Sequence, residues 1–372
     1  MERLASTSHP TPKNIGVIGL GIIGRAVAAH LRRKGFEVFV WNRSPRPVPN
    51  FVGSPGELAN VCDYIQIFVS DDEALLKTVE QVSADLVPRH VVLAHSTVAP
   101  DSMRAAAEIV ETRGAQFVEA SFTGSKLAAE KGELVYYIGG TDTALREARP
   151  ILEASSKEIV KIGAVGQASA IKIATNMITA ASVQAAAEAL ALVQAVGVPL
   201  EKFVEAMRAN ASHSTTLSMK LPKMLDRDFE PHFSVKHMLK DMQIANQIAL
   251  SGYLDLGLTA AARDQLLEQM QWGHGDYDYS AVAYKFLDDG ASAVYEEPKA
   301  EAKRQQSDGG EPVTATTASD TPVLEPQDAS RKSAQQPLVN FTGAGDGSSH
   351  TGSPLRRGLL RQLLSRFSSG QG

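Results

Sequence analysis

Cysteine is nearly missing: among 372 residues there is one, Cys62. A single thiol excludes an intrachain disulfide framework and a cysteine-rich zinc site, so a reducing, cytoplasmic compartment is expected. A strong charge excess is missing too. With 37 Lys and Arg against 42 Asp and Glu, the formal net charge is −5, which argues against a surface built for nucleic acid. No run is read as the roughly 18 apolar residues of a membrane helix. The opening MERLASTSHPTPKN lacks the apolar stretch of a signal peptide. What is present is ordinary, 43% hydrophobic and 21% charged residues. The length suits about two domains and an appendage. An intracellular enzyme or binding module remains.

From residue 14 to about 160, short β-branched runs alternate with segments of helical period. Ile15 to Ile18, Glu37 to Trp41, Tyr64 to Val69, Val91 to Ala94, Gln116 to Glu119 and Val135 to Ile138 read as strands. Ile22 to Arg33 and Ser102 to Thr112 read as helices between them. Such alternation predicts βαβ crossovers, hence an α/β fold with a doubly wound, largely parallel sheet covered on both faces.

The texture changes after Gly163. Gln167 to Val196 is Ala-rich and free of Gly and Pro until Gly197 and Pro199 stop it. At 1.5 Å per residue this helix would span about 45 Å, enough to bridge two domains. Helical patterns follow at Leu200 to Asn210, Val235 to Ser251 and Thr259 to Gln271, without a convincing strand. The expected organisation is a flexible N-terminus (1–13), a Rossmann-like nucleotide domain (14–166), an interdomain helix (167–196) and an all-α domain (197–295). Residues 296–372 are read as a disordered tail, because too few apolar residues are present to offset ordering entropy. Within the tail, Leu355, Leu359, Leu360, Leu363, Leu364 and Phe367 recur at helical spacing among arginines. That pattern allows a short amphipathic helix over 354–367 for a membrane surface or a partner groove, against a fortuitous pattern in a dispensable tail.

The segment IGVIGLGIIGRAVAAHL reads as strand, turn and helix around Gly19-x-Gly21-x-x-Gly24. Gly19 permits the turn, Gly21 lets backbone N–H groups approach a pyrophosphate, and Gly24 lets helix pack closely on strand. The phosphates would rest on the positive helix N-terminus, over Gly19, Leu20, Gly21, Ile22, Ile23 and Gly24. About 20 residues on, NAD-binding sites place a carboxylate for the ribose. Here stand Asn42, Arg43 and Ser44, with Arg46 close by. An arginine and a hydroxyl suit the extra phosphate of NADP through charge-assisted hydrogen bonds, so NADP(H) is the expected cofactor. The alternative is that Arg43 is a solvated loop charge.

GLGIIG, Asn42-Arg43-Ser44, FVSDD at Phe68 to Asp72, HSTVAP at His95 to Pro100, EASFTGS at Glu119 to Ser125, IKIATN at Ile171 to Asn176 and LKDMQIA at Leu239 to Ala245 occur in that order. Together they resemble the β-hydroxyacid dehydrogenase family, over residues 14 to about 290, and Ser125-Lys126 followed by Glu130 and Gly132-Glu133-Leu134 most resembles its glyoxylate/succinic semialdehyde reductase branch. The resemblance implies an active site in the cleft between a Rossmann-like and a helical domain, and a homodimer or homotetramer. It places Val69 and Ser70 toward the nucleotide, Thr97 near the nicotinamide, and Lys240 against the cofactor from the helical side. Asp241 is implied as a helper that orients Lys240 or its loop, within the substrate site. The family's substrate motif usually reads Ala-Pro-Val-Ser-Gly-Gly after an acidic residue. Here Ser121 stands for the Pro, Phe122 for the Val and Thr123 for the Ser, followed by Gly124. These departures keep a hydroxyl for a substrate carboxylate and alter the pocket wall. Phe233 is a candidate to close the substrate site, although an aromatic residue there also suits a core.

Lys172 is the catalytic candidate. Asn176 lies four residues on, on the same helical face, so both side chains can meet one bound molecule. A lysine inside an Ala/Ile-rich helix is partly desolvated, which lowers its pKa. Protonated, it could act as general acid toward a carbonyl oxygen and stabilise the developing alkoxide; neutral, it would be the base of the reverse reaction. The alternative is a lysine snorkelling out of a packed helix. His213, His232 and His237 form no convincing metal-ligand set, and no metal is expected. Asp276 and Asp278 read as a solvated turn.

The expected activity is NADPH-dependent reduction of a small aldehyde or 2-oxo acid bearing a carboxylate, without nucleic-acid partners. Three rivals stand beside it: a 3-hydroxyisobutyrate-type dehydrogenase, an imine reductase on the same scaffold, and a non-enzymatic NADP sensor or scaffold. Asn42-Arg43-Ser44 and Ser125 disfavour the first. The lysine disfavours the second, and Lys172 with Asn176 disfavours the third.

Overall fold

The computed structural model describes residues 13–287. The expected disordered tail, its helix over 354–367 and nearly all of the expected N-terminal extension lie outside the described residues.

Seven strands form one sheet in the order β2-β1-β3-β4-β5-β6-β7. They are β1 (Ile15–Ile18), β2 (Val38–Trp41), β3 (Tyr64–Ile67), β4 (Val91–Ala94), β5 (Gln116–Thr123), β6 (Leu134–Gly140) and β7 (Ser156–Gly163). The first five run parallel, in registers such as Ile15 with Val38 and with Tyr64. β6 runs antiparallel to β5, and β7 runs parallel to β6. The reversal follows from the short connection 124–133, which suits an antiparallel return rather than a full crossover. A glycine in the left-handed region, Gly132 at φ 73, ends α5 (Lys126–Lys131), the six-residue helix in that connection.

β1, β3 and β4 are buried at every position, the pattern of strands covered on both faces. Ile15 and Val17 join a core with α1 (Ile22–Arg33), Val38, Val40, Leu93 and α6 (Asp142–Ala154). Ile18, Ile65 and Ile67 join the opposite core with α2 (Pro55–Val61), α3 (Asp72–Ser83) and α4 (Pro100–Glu111). A doubly wound sheet results, as the alternation predicts. The sheet is largely parallel, as expected, with the reversal confined to the β5–β6 pairing.

Several expected boundaries move. The second and third strands are shorter than read, and β5 runs on to Thr123, four residues past Glu119. β7 has no counterpart among the expected strands. Its exposed Lys157 and Glu158 sit among partly buried positions, the texture of a charged sheet edge rather than of a buried strand.

α7 (Gln167–Ala195) is the expected long helix, 29 residues. Its buried residues Ile173, Asn176, Ala180, Val183, Ala187 and Leu190 recur at three- and four-residue steps, one stripe along the helix. Around that stripe pack α8 (Leu200–Ala209), α9 (Thr215–Leu225), α10 (Val235–Ser251), α11 (Gly257–Gln271) and a 3₁₀ helix, Tyr279–Phe286. Among the described residues this half contains no named strand. By length and composition α7 could cross a membrane, contrary to the expectation that no segment would qualify. Its buried stripe packs in the helical core, and it carries the buried amides of Asn176 and Gln184.

Candidate active site

At the end of β1 the chain turns through Gly19, whose φ of +95° few side chains adopt and whose Cβ would stand 1.9 Å from the carbonyl oxygen of Phe68. A Cβ on Gly24 would stand 2.0 Å from the carbonyl oxygen of Gly19. Glycine is therefore required at both places for the helix to seat on the strand. Gly21, by contrast, faces open space. It is the N-cap of α1, with no capping side chain and no acidic residue in the first turn. Unshielded N–H groups at a helix N-terminus favour an anion, so this loop fits a dinucleotide pyrophosphate. Asn42 accepts the N–H of Leu20 at 2.9 Å and donates to the Ser44 carbonyl at 2.9 Å. Its side chain thus braces the glycine loop from the end of β2, while Arg43 and Ser44 stand exposed beside it. Ile22 is exposed at the start of α1, and Ile23 packs against the core below.

β3 leads into Phe68, which stacks on His95 with ring centroids 4.3 Å apart. His95 is fully buried, and burial pushes its pKa down to about 3. It is neutral, its Nδ1 2.9 Å from the Ala120 carbonyl and its Nε2 3.1 Å from the Gln66 amide. With Nδ1–H donating to Ala120, Nε2 needs a donor, so the Gln66 amide is best assigned with its NH₂ toward the ring. Val69 gives its N–H to Ser96, and Ser70 gives its hydroxyl to Asp71 at 2.5 Å. Ser70 is exposed just beyond the end of β3.

The sheet and helical halves meet where Lys240 of α10 donates to the Thr97 carbonyl in the loop after β4. Asp72 secures that loop by accepting the Ala99 N–H at 2.9 Å. Lys240 also pairs with Asp241 at 2.8 Å. Asp241, fully buried, accepts from the Asn176 amide at 2.6 Å. Asn176 in turn accepts from the Lys172 ammonium at 3.0 Å. Thr97, Lys240, Asp241, Asn176 and Lys172 therefore form one chain of contacts across three segments of the fold. Lys172 keeps some exposed surface, but its surroundings desolvate the ammonium. Desolvation, aided by Lys240 and opposed by Asp241, pushes its pKa down to about 8. That is the shift expected of a lysine built to exchange a proton near neutrality.

The substrate segment divides. Phe122 and Thr123 are partly exposed at the end of β5, and Gly124 follows at φ +138°. Phe122 lies 6.2 Å from the Phe68 ring, against the aromatic stack beside the glycine loop. Ser121 does not share their position. It is fully buried and pairs with Tyr137 of β6, because β5 continues through it, so its hydroxyl faces the protein interior. Asp241 is likewise buried and engaged with Asn176 and Lys240, which fits the helper role rather than direct substrate contact. Phe233 is half-buried, packs on the helical core and stacks 5.9 Å from His237.

Two residues escape the sequence reading. Asp278 is fully buried rather than a solvated turn, with both carboxylate oxygens 2.7 Å from the Lys220 ammonium. It also accepts the N–H groups of His232 and Phe233, at 2.9 and 3.3 Å. Asp276 remains exposed. Glu119, quoted only as part of a motif, is fully buried and reaches the first turn of α7. Its one sequence signal is that it is the lone charged side chain of the strand.

A sheet with a glycine loop that fits a pyrophosphate, joined to helices that bring up a desolvated lysine, defines a nicotinamide-dependent oxidoreductase. Residues 14–163 match the family described as the NAD binding domain of 6-phosphogluconate dehydrogenase. Residues 166–286 match that described as the NAD-binding of NADP-dependent 3-hydroxyisobutyrate dehydrogenase. The chain is 29% identical to glyoxylate/succinic semialdehyde reductase 1 of Arabidopsis thaliana, over 73% of this chain and 98% of the relative. It is 30% identical to the chloroplastic reductase 2 of the same plant, over 72% of this chain and 78% of the relative. Its fold is shared with a 3-hydroxyisobutyrate dehydrogenase of Mycobacterium tuberculosis, at 24% identity and a TM-score of 0.68, covering 75% of this chain and all of that one. The chain belongs to the β-hydroxyacid dehydrogenase family.

Proposed function

We propose that this oxidoreductase uses NADPH to reduce a small aldehyde or 2-oxo acid bearing a carboxylate, of the glyoxylate or succinic semialdehyde kind, to its hydroxy acid. One observation carries this: the Lys172 ammonium, with its pKa pushed down to about 8, is aimed by Asn176 at the junction of the two halves. When bound, a reduced nicotinamide supplies the hydride for the carbonyl carbon. Protonated Lys172 gives its proton to the carbonyl oxygen, and its charge stabilises the alkoxide as it forms. Asn176 holds the ammonium in place while Asp241 holds Asn176. The Thr123 hydroxyl and the backbone around Gly124 receive the substrate carboxylate, with Phe122 as the pocket wall. Arg43 and Ser44, exposed and beside the glycine loop, suit the 2′-phosphate that distinguishes NADPH from NADH.

A homodimer belongs to the same proposal. Ile178, Leu192 and Val196 are exposed along and just beyond α7, and apolar side chains along one helix suit a second copy of the chain. A 3-hydroxy-acid dehydrogenase working in the oxidative direction is favoured by one observation, the name of the family matched by the helical half. Neutral Lys172 would then be the base.

The test is a panel of C2 to C4 aldehyde acids and hydroxy acids assayed with each cofactor. NADPH with glyoxylate or succinic semialdehyde should give the highest kcat/KM. Lys172→Ala should lower kcat by about 10²- to 10⁴-fold, the usual contribution of a positioned acid, with cofactor binding kept. Cofactor binding without turnover of any member, or unchanged turnover in the variant, rejects the proposal.

A further inference from the structure

α7 carries Lys172, yet its own N-terminus has no capping side chain and no acidic residue in its first turn. Its N-cap is Gly166, at φ +93°. The missing acceptor comes from another element. Glu119, inside β5, accepts the Gly166 N–H at 2.6 Å on Oε2 and the Ser169 N–H at 2.5 Å on Oε1. Both carboxylate oxygens are thus used, one on the N-cap residue and one on the third residue of the helix. The carboxyl is fully buried, and the space around it is closed on the far side. A Cβ on Gly139 of β6 would stand 2.9 Å from Glu119 Oε2 and 2.8 Å from the Ala164 carbonyl oxygen. Burial raises the pKa of Glu119, while hydrogen bonds from Ser169, Gly166 and Ala168 draw it back down.

Two features make this more than a buried helix cap. β5 runs from Glu119 on to Thr123 and Gly124, where the substrate carboxylate is proposed to bind. In the helix, Lys172 stands three residues beyond Ser169, within the next turn. One side chain therefore ties the strand that holds the substrate to the helix that holds the proton donor. We infer that Glu119 is a positioning residue, which sets the reach of Lys172 toward the substrate segment by fixing the first turn of α7. This rests on Lys172 being the proton donor, as proposed above. The physical ground is the steep dependence of proton transfer on placement, where a shift of about 1 Å can cost on the order of 10²-fold in rate.

The experiment uses the full chain with glyoxylate or succinic semialdehyde, whichever the parent reduces faster. Glu119→Gln keeps the side-chain volume but turns an NH₂ toward one of the two N–H groups. It should lower kcat by about 10- to 100-fold and leave the dissociation constant of NADPH within about twofold. Amide exchange at Gly166 and Ser169 should quicken. Placed in Lys172→Ala, the same change should alter the residual rate by less than about twofold, because the group it positions is gone. Gly139→Ala, which displaces the carboxylate without changing it, should repeat the loss of kcat. The inference is overturned by parental kcat in folded Glu119→Gln, by an equal loss in the parent and Lys172→Ala backgrounds, or by insolubility of both Glu119→Gln and Gly139→Ala. If Lys172→Ala is inactive while Glu119→Gln matches the parent, only this inference fails. If Lys172→Ala itself matches the parent, the assignment of the proton donor fails with it.

Discussion

Asn176 donates to Asp241 at 2.6 Å across two helices of the described fold and accepts from Lys172 at 3.0 Å, so one amide links the buried carboxylate to the ammonium. Desolvation lowers the pKa of Lys172 most, Asp241 opposes it and Lys240 adds to it, leaving it at about 8. Carbonyl reduction needs the protonated form, so kcat should fall as pH rises through about 8. Oxidation of the hydroxy acid needs the neutral amine and should rise over the same interval. Asp241→Asn removes the raising charge, so both inflections should move to lower pH. Lys240→Met removes a lowering charge and should move them up. Kinetic profiles of kcat from pH 6 to 10 check both signs, and a shift in the same direction for both variants would refute the electrostatic account.

Arg43 is exposed beside the glycine loop. A charge-assisted hydrogen bond to a phosphate is worth about 1.5–3 kcal/mol, or roughly 10- to 100-fold in affinity. Arg43→Ala should weaken NADPH by that factor and NADH by far less. Fluorescence titration of each nucleotide measures the difference, and equal losses would mean that Arg43 is a solvated loop charge.

Lys220 and Asp278 are both buried, 2.7 Å apart, and the carboxylate also gathers the N–H groups of the loop before α10. Burial pushes Asp278 up, but the Lys220 ammonium and Ser280 outweigh it and hold the carboxyl below the usual range. Lys220→Met would leave that charge buried and alone, at a cost of about 3–5 kcal/mol. Urea denaturation at neutral pH should show the midpoint fall accordingly. A change of under about 1 kcal/mol would place the pair with weak surface bridges.

His95 adds an acid sensitivity to the nucleotide half. Its pKa falls from 6.5 to about 3 on folding, so below pH 6.5 the unfolded chain binds the proton that the folded one refuses. Stability from this group is complete above pH 6.5 and is lost as pH falls toward 3. The parent should therefore lose stability on acidification more steeply than His95→Gln, which is expected to be weaker at pH 7.5 but flatter below it. Parallel slopes in urea melts at pH 7.5, 6 and 5 would contradict the burial of a neutral imidazole.

Much of the fold is legible locally. β1, α1, β4 and α10 begin and end where the apolar period predicts, because each is bounded by its own turn chemistry and buries a face set by its own residues. The glycine loop is legible for the same reason: strand, turn and helix are contiguous, and Gly24 is required by the carbonyl of nearby Gly19, although the neighbour that requires Gly19 is Phe68, beyond the end of β3. Lys172 and Asn176 could be paired in advance because one helical turn joins them. β7 escaped because a charged edge strand carries a weak period, and the reversed direction of β6 is set by how the connection 124–133 folds back.

What the amino-acid order determined by itself is therefore whatever acts over a turn or a strand: element type, the pyrophosphate cradle, the lysine with its asparagine. Only the tertiary structure decided the contacts between distant residues. It put Ser121 inside the sheet, brought Lys220 to Asp278 across 58 positions, Lys240 to Thr97 across 143, and Glu119 to the head of α7. A buried charge is tolerable only beside its partner, and spacing along the chain does not say which partner folding will supply.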